Sequence, residues 1–531
     1  MDVPGRKDRR GVSDDGPERN IVIRSICCIG LLAGLSLSLC GCSGAPSGTI
    51  GTIAREPAIY PEYGGIVIPP NIAPLNFAVQ EKAERYYVVL SSAQGEPIRI
   101  ASQSGCIAIP EKPWRRLLDG NRGQPLSVAV FACSRGAGWS RFKAITDTIA
   151  PDPIDPCLVY RKINLCVKWM NMGIFQRDLG GFTETPVVTT NDLPGGCMNC
   201  HSFRGNDPGD MIVQIRSSAI GTPMLLHRSG EAAARLSAVR IEPAFGGGRA
   251  GFTAWHPTRP LIVFSSNSFT MLYHTAAREV REVFDQAATL STYTMESGAF
   301  APIDEASRPD RLQTMPAWSP DGRYLYFCDG PRLAEGRYAD VQCDLLRLPY
   351  DTATGLFGAR DTVLTAAKAG GSITDPCLSP DGRFIAFTLS PRSDFPIHQA
   401  RSRLCLLTAA TGSIMVTDSG ANYCDAWHGW SSNGRWLVYT SKRMDGRFGR
   451  PFFRYMSPDG RVHKPFVLPQ RNPLFYRSQV LTYNIPLLVT GPVPHYSTLF
   501  TDRAGSKKSG AVEEYPSAPA VSPLSHQKEV E

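Results

Sequence analysis

The sequence lacks the patterns that mark several common functional classes. No run of basic residues is interleaved with aromatic residues, and the formal net charge of +8 is spread along the chain. This distribution argues against nucleic-acid binding. The sequence also has no G-x-S-x-G nucleophile elbow, no H-E-x-x-H zinc motif and no phosphate-binding loop. These absences exclude the hydrolases, zinc proteases and P-loop NTPases that depend on those motifs.

Long apolar runs are also lacking. After position 42 no stretch reaches eighteen consecutive apolar residues, so we expect the body of the chain to be soluble. Turn residues are abundant instead, with 49 glycines and 43 prolines in 531 residues. This composition favours β-structure over long helices. A body of about 490 residues is too long for one ordinary hydrophobic core, so we expect more than one domain.

The N-terminus has the pattern of an export signal. Residues 25–41 carry no charge and follow Arg24, as in the apolar core of a signal peptide. They end in Leu39-Cys40-Gly41-Cys42, which resembles the lipobox of bacterial lipoproteins. The resemblance implies removal of residues 1–41, lipidation of Cys42, a tether over residues 42–59, and a periplasmic, outer-membrane or cell-surface location. A plain signal peptide or an anchor helix is the alternative.

Residues 197–201 read CMNCH, which matches the C-x-x-C-H pattern of c-type haem attachment. The thiols of Cys197 and Cys200 would add to the two vinyl groups of one haem. The imidazole of His201 would then be the proximal iron ligand. The alternative is a disulfide or redox pair that happens to precede a histidine. If the chain is exported, the motif predicts one covalent haem c.

The distal iron ligand is open at this stage. Met211 is the first candidate, because it follows the turn-forming residues 206–210 that could fold the chain back over the porphyrin. A methionine in the core of a strand explains the same residue equally well. An iron without a sixth protein ligand is another option. The rival candidates are Met224, His227, His256 and His274.

Residues 60–150 have the pattern of a small β domain. Apolar segments at residues 86–90, 98–100 and 126–132 alternate with turn residues, as in short strands. We expect a sandwich-like arrangement, without a signature of any particular sandwich family.

A repeat begins after the CMNCH motif. Its clear copies lie at residues 253–267, 315–328, 376–388 and 426–441, with a weaker copy at residues 455–461. Each copy places an aromatic or apolar segment before Ser-Pro-Asp-Gly or a variant of it, and alternating apolar residues after it. Asp-Gly or Asn-Gly at the centre predicts a hairpin turn between two strands.

The repeat resembles that of TolB-type β-propellers. Spacings of about 50–65 residues suit one four-stranded blade per copy. We therefore expect an all-β protein with a six- or seven-bladed propeller over residues 151–500, after the small β domain. The tail at residues 501–531 is rich in serine, proline and charge, and we expect it to be disordered.

Three segments together resemble exported TolB-like propeller proteins that carry one C-x-x-C-H motif. These segments are residues 68–77, residues 197–203 and Trp255-His256-Pro257. The sequence lacks the helical surroundings of a small cytochrome c. We therefore expect the haem in an insertion at about residues 190–215 of the propeller.

These patterns favour electron transfer by a lipid-anchored, monohaem cytochrome-like propeller. One haem holds one electron, so a redox partner protein is expected. The alternatives are a non-catalytic TolB-like binding or scaffold propeller with a structural haem, and a haem-dependent periplasmic oxidoreductase. No catalytic residue stands out, and no small-molecule ligand can be named from the sequence.

Overall fold

Strands predominate in the computed structural model of this chain. The described helices are α1 (Glu111–Asp119), α2 (Ala366–Ala369), α3 (Phe475–Ser478) and the 3-10 turns Thr190–Asp192, Tyr338–Asp340 and Pro396–His398. None of them has the length and apolar character needed to cross a membrane. The structure describes residues 44–164, 172–192, 196–217, 224–228, 237–239, 249–274, 279, 281–334, 336–392, 394–418 and 423–494. The predicted signal peptide, Cys42 and the tail from residue 501 lie outside these ranges.

Two sheets and helix α1 precede the repeats. Their strands are β1 (Ile50–Ile53), β2 (Ile59–Tyr60), β3 (Val67–Ile68), β4 (Phe77–Val79), β5 (Arg85–Ser91), β6 (Ile98–Ser102), β7 (Cys106–Ile107), β8 (Pro125–Ser134), β9 (Gly138–Phe142) and β10 (Ile145–Ile149). The larger sheet has the order β1-β9-β8-β10-β3, and β5 joins it by pairing with both β8 and β6. The smaller sheet is β2-β4-β7. In the larger sheet, β1 runs parallel to β9 and β10 parallel to β3.

This region differs from the sequence expectation in two ways. Residues 42–59 are not all tether, because β1 pairs along its whole length with β9. Helix α1 was not expected, because the sequence indicated only short strands and turns over residues 60–150. Pro113 lies in the first turn of this helix. Proline is tolerated within the first turn of a helix, where the N–H groups have no partner inside the helix. The helix buries Trp114, Leu117 and Leu118.

One hydrophobic core joins this region to the repeats. Val88 and Trp114 share a cluster with Tyr439 and Phe453, which lie more than 300 residues later. Hydrogen bonds cross the same boundary, as where the Tyr455 hydroxyl donates to Asp152 at 2.6 Å. The first 100 residues of the body therefore pack on the propeller.

Six four-stranded sheets follow in the described residues, and we call them blades 1 to 6. Blade 1 is β11 (Cys157–Asn164), β12 (Gly173–Asp178), β13 (Glu184–Thr189) and β34 (Leu481–Val489). Blade 2 is β14 (Gly196–Arg204), β15 (Asp207–Ser217), β16 (Met224–His227) and β17 (Ser237–Val239), and blade 3 is β18 (Arg249–Trp255), β19 (Leu261–Tyr273), β20 (Arg281–Thr294) and β21 (Ala299–Pro302). Blade 4 is β22 (Arg311–Trp318), β23 (Tyr324–Pro331), β24 (Asp344–Pro349) and β25 (Asp361–Leu364). Blade 5 is β26 (Ser372–Leu378), β27 (Phe384–Ser390), β28 (Arg403–Thr408) and β29 (Ile414–Val416), and blade 6 is β30 (Asp425–Trp430), β31 (Trp436–Ser441), β32 (Arg450–Tyr455) and β33 (Phe466–Val467).

The blades form a closed ring around a central channel. Each innermost strand contacts the next, in the order β14, β18, β22, β26, β30 and β34, and β34 contacts β14 again. Closure depends on the C-terminal strand β34, which pairs antiparallel with β11 of blade 1. The described chain is therefore an all-β protein with a propeller, as the sequence predicts.

The CMNCH motif does not lie in an insertion between blades. Residues 196–204 are the inner strand of blade 2, and β15 pairs with them antiparallel. The expected insertion at residues 190–215 is therefore wrong. Blade 2 lacks the Ser-Pro-Asp-Gly signature, so the sequence gives no sign that these residues continue the repeat.

The repeated turns share one hydrogen-bond pattern, and we call this end of the inner strands the turn end. Ser319 donates to Asp321 at 2.5 Å and accepts from the Tyr324 amide at 2.9 Å. Ser379 repeats both bonds in blade 5, at 2.6 and 3.0 Å. Glycine follows each aspartate because the turn needs a positive φ, which is 70° at Gly322.

A second repeated feature lies earlier on each inner strand. Every inner strand has a register shift there, which is the mark of a β-bulge. In four blades a non-glycine residue at the bulge has a φ between 49° and 55°. These bulge residues lie three positions before a large buried or half-buried residue, in the pairs Cys200/Phe203, Phe252/Trp255, Met315/Trp318, Asp375/Leu378, Trp427/Trp430 and Ile485/Leu488. We call this part of the inner strands the bulge end.

Candidate ligand-binding site

The CMNCH motif places its second cysteine and its histidine on opposite sides of β14. A β-bulge between Met198 and His201 interrupts the regular alternation of this strand, so the faces are assigned from the surroundings of each residue. Cys200 lines a cavity in the central channel. His201 lies opposite Val213, a member of the hydrophobic core between blades 1 and 2. The side chain of Cys197 lies outside the described part of the structure.

His201 is buried, with only 3% of the residue exposed. Neither ring nitrogen has the geometry of a hydrogen bond with a described residue. Burial lowers the pKa of His201 to about 3 and the nearby Arg161 guanidinium acts in the same direction, although the Val159 backbone lies close enough to oppose the shift. The ring is therefore neutral at physiological pH. An imidazole held dry and unpartnered is costly, which distinguishes this residue from an ordinary core side chain.

Met211 and Met224 are core residues in blade 2. Met211 pairs with Phe203 in the strand register and belongs to the same interblade core as Val213. Met224 faces the other side of the sheet, in the core between blades 2 and 3. His227 is also buried, next to Met211 in the register.

The two remaining candidates for the distal iron ligand, His256 and His274, contact other groups of the protein. His256 is fully buried, its Nε2 lies 3.1 Å from the Gly322 carbonyl, and its Nδ1 accepts from the amides of Thr258 and Arg259. It replaces the serine of the repeat and joins blade 3 to the turn of blade 4. His274 is partly exposed and lies 2.9 Å from a Glu282 oxygen.

These positions do not fit a haem with His201 as proximal ligand. A haem attached to Cys200 would lie in the cavity, on the other side of the strand from the His201 ring. The space beside His201 is filled by the interblade core, which also holds Met211. No three His, Cys, Asp or Glu side chains come together as a metal site in the described ranges.

The cavity in the channel has a volume of about 230 Å³. Its floor is made by bulge residues. Phe252 of blade 3 and Trp427 of blade 6 come from opposite sides of the ring, and their rings stack with centroids 5.6 Å apart. Phe395 lies 6.1 Å from Phe252 and extends this aromatic floor.

The walls of the cavity carry more positive than negative charge. The cations are Arg161, Arg216, Arg281 and Lys442, and the acid is Glu279. Lys442 donates to Glu279 at 2.6 Å and to the Ile397 carbonyl at 2.8 Å. Burial raises the pKa of Cys200, although Arg161 and Arg216 oppose this shift.

The pKa of His398 is affected by burial and by cationic side chains of the same cavity. His398 lines the cavity, and its ring makes no hydrogen bond with the described residues. Burial lowers its pKa well below the usual value, and the charges of Arg281 and Lys442 add to this effect. A neutral imidazole therefore faces a positively charged cavity.

Other polar groups at the cavity also lack partners. Trp427 Nε1, Thr482 Oγ1 and Asn484 Oδ1 are buried and form no hydrogen bond within the described chain. Buried polar atoms are normally paired, so a group of them around one cavity indicates that water or a ligand completes their bonds. Perturbed histidine and cysteine side chains at the same place support this interpretation.

One wall is an extension of blade 3. Strands β19 and β20 have 13 and 14 residues, and their far ends project beyond the sheet. Phe269, Met271 and Tyr273 line the cavity from this hairpin. Glu282, near the tip of this hairpin, pairs with Arg392 of the loop after β27 at 3.4 Å.

No protein-family model matches the chain, and no curated protein sequence matches it. Solved structures with a similar arrangement include putative TolB from Agrobacterium tumefaciens, with 14% identity, a TM-score of 0.34, and coverage of 60% of this chain and 89% of that one. An oligogalacturonate lyase in complex with manganese has 9% identity, a TM-score of 0.34, and coverage of 72% and 99%. A protein from Lactobacillus plantarum has 12% identity, a TM-score of 0.35, and coverage of 60% and 98%. These similarities carry no functional conclusion.

Sequence reasoning missed the cavity residues. Phe252 and Trp427 each precede the repeat tryptophan by three positions, so aligning the copies on that tryptophan would have brought them together. The same alignment places Cys200 at the equivalent position before Phe203. Arg281 and His398 lie outside the repeat copies, and no local signal marks them.

Proposed function

We propose that this chain is a binding propeller whose functional site is the cavity at the bulge end of the channel. The observation that carries the proposal is the group of unpartnered buried polar atoms above the Phe252–Trp427 floor. An apolar floor with a few convergent polar groups is the usual form of a small-molecule site. A non-catalytic binding role was one alternative raised by the sequence.

A neutral aromatic probe tests this proposal. We expect N-phenyl-1-naphthylamine to bind the purified protein with a rise in fluorescence. Replacing Phe252 or Trp427 by alanine should weaken binding by about tenfold or more, because each removes aromatic contact area. Phe300→Ala, on the outer strand of blade 3, is the matched control and should bind as the wild type does. Absence of binding, or equal effects of Phe252→Ala and Phe300→Ala, would contradict the proposal.

The second candidate is the monohaem electron carrier. Two observations favour it: the CMNCH motif itself, and the His201 ring whose nitrogens are both unpartnered. In this candidate Cys197 and Cys200 hold one haem c covalently, and a redox partner protein exchanges electrons with it. Because the structure does not fit His201 as the iron ligand, residues 197–201 would have to adopt another arrangement. A haem-dependent oxidoreductase would need the same change.

Covalent haem is measured directly. The protein is produced together with a cytochrome c maturation system, extracted with acidic acetone and analysed as the pyridine haemochrome. The electron-carrier candidate predicts one haem per chain that stays with the protein, and its loss in Cys197→Ser and Cys200→Ser. Cys377→Ser, a half-buried cysteine outside the motif, is the control. A protein without covalent haem would rule this candidate out.

We further propose that the protein is exported and held on a membrane through a lipid on Cys42. The lipobox-like residues 39–42 support this. Mass spectrometry of the mature N-terminus should find a diacylglycerol-modified cysteine, and Cys42→Ser should abolish the modification. An unmodified N-terminus elsewhere in the chain would contradict it.

A further inference from the structure

We infer that the cavity takes an anionic ligand with a planar apolar body, and that Arg281 is the residue that binds its negative group. This inference rests on the proposed binding function. It names the chemical class of the ligand, which neither the fold nor the sequence repeat assigns.

Among the described residues, Arg281 is the cavity cation for which no hydrogen bond or ion pair is found. It begins β20 and is half-buried. An arginine stays charged at all physiological pH values, and a partly buried charge without a partner is unfavourable. A carboxylate, sulfonate or phosphate in the cavity would supply the missing partner with the bidentate geometry that arginine prefers.

The other charged groups do not remove this need. Glu279 is already engaged by Lys442, so it is not available to Arg281. Arg161 donates to the Met198 carbonyl at 3.2 Å, and Arg216 lies over the Phe269 ring. The described lining of the cavity has four cations and one acid, and a positive potential of this kind attracts anions.

The floor explains the apolar part of the ligand. Phe252 and Trp427 present stacked rings, and Trp427 Nε1 is an unpartnered donor beside them. A planar body can stack on such a platform, while its polar edge accepts from the indole. Thr482 and Asn484 offer further unpartnered oxygens at the same level, which suits a ligand with a hydroxyl or amino substituent.

Two probes that share their aromatic rings but differ in charge test the contribution of the negative group separately from that of the rings. N-phenyl-1-naphthylamine and 8-anilinonaphthalene-1-sulfonate share their aromatic rings, and only the second carries a negative group. We expect the wild type to bind the sulfonate at least about tenfold more tightly, with an affinity that falls as salt rises because ions screen the attraction. Arg281→Gln should abolish that difference, with a much smaller change in the affinity for the neutral probe than for the sulfonate.

Arg332→Gln, at an exposed site outside the cavity, is the matched control and should behave as the wild type does. Equal affinities for the two probes, both sensitive to Phe252→Ala, would refute the anion preference and keep the binding proposal. Failure of both probes to bind would refute the binding proposal itself. The two failures are thus distinguishable.

A planar anion could be a diffusible metabolite or the haem of the second candidate, since haem is itself a planar dicarboxylate. The two sources differ in how they leave the protein. A diffusible anion is released by denaturation and detected in the filtrate by mass spectrometry. A covalent haem stays on the chain and blocks the sulfonate probe, and this block should be lifted in Cys200→Ser.

Discussion

The two ends of the inner strands differ in how far their side chains repeat from blade to blade. At the turn end, blades 4, 5 and 6 repeat the same pair of bonds. Ser319, Ser379 and Ser431 each donate to the side chain two positions later and accept from the amide five positions later. At the bulge end, the equivalent positions hold a cysteine, two aromatic residues, a methionine, an aspartate and an isoleucine. The backbone repeats there but the side chains do not.

This difference separates the residues that stabilise the ring of blades from the residues that line its channel. The shared turn bonds of blades 4 to 6 stabilise the link between each inner strand and the next strand of its blade. Four of the six bulge residues, Cys200, Phe252, Trp427 and Ile485, line the channel cavity, where their different side chains make one asymmetric site. Backbone strain at Met315, Asp375, Trp427 and Ile485 lies at this end, as expected where a fold serves a function.

The largest effect is expected at the turn end, in the repeat tryptophan of blade 4. Trp318 packs against His256 and Tyr350, with ring centroids 4.6 and 5.1 Å away. Trp318→Ala should lower the free energy of unfolding by about 3–5 kcal/mol, by loss of buried area and a residual cavity. Denaturant unfolding measures this, and binding of N-phenyl-1-naphthylamine to the folded protein should not change. A large loss of affinity would break the separation between the two ends.

The next effect concerns a turn glycine. A Cβ on Gly322 would lie 2.5 Å from the His256 ring, and φ there is 70°. Gly322→Ala should cost about 1–2 kcal/mol for the positive φ and about 1–3 kcal/mol more for the collision. Gly412→Ala is the control, because φ is 66° there and nothing lies within 4 Å. Equal melting temperatures for the two variants would show that the blade contact is not tight.

At the bulge end, pH should act through His201. Folding lowers the pKa of His201 from 6.5 to about 3. Between these two pH values the imidazole is protonated in the unfolded chain and neutral in the folded chain. The free energy of unfolding therefore falls as pH drops below about 6.5, by about 2 kcal/mol at pH 5. His201→Leu should lose about 2 kcal/mol less than the wild type between pH 7 and pH 5. Met211→Leu, in the same core, should keep the wild-type slope, and an unchanged slope in His201→Leu would contradict the buried, neutral ring.

The smallest effect is expected for a single turn hydroxyl. Ser379→Ala removes one donated and one accepted hydrogen bond, and should cost about 1 kcal/mol. Ser413→Ala, at an exposed turn, should change the free energy of unfolding by less than about 0.5 kcal/mol. If the two variants behave alike, the shared turn bonds do not stabilise the ring.

The same contrast explains which features the sequence could predict. Turns at Asp321-Gly322 and the alternating residues after them depend on local chemistry, so the propeller was predictable. Ring closure by β34 was not, because pairing with β11 across some 320 residues leaves no local pattern. Only part of the candidate site was predictable. Cys200 was recognised as part of CMNCH, but the side of β14 that it faces depends on the bulge. Arg281 of blade 3 and His398 of blade 5 become neighbours only in the folded ring.

Hydrogen–deuterium exchange with saturating 8-anilinonaphthalene-1-sulfonate tests the central claim most directly, since it reports where a ligand acts. The account predicts slower exchange at the bulge end, around residues 250–253, 397–399 and 426–428, and at the start of β20. Amides of the turns at residues 319–324 and 379–384 should exchange as they do without the probe. Protection confined to the turn end, or to the sheets of residues 50–149, would contradict the assignment of the functional site to the channel cavity.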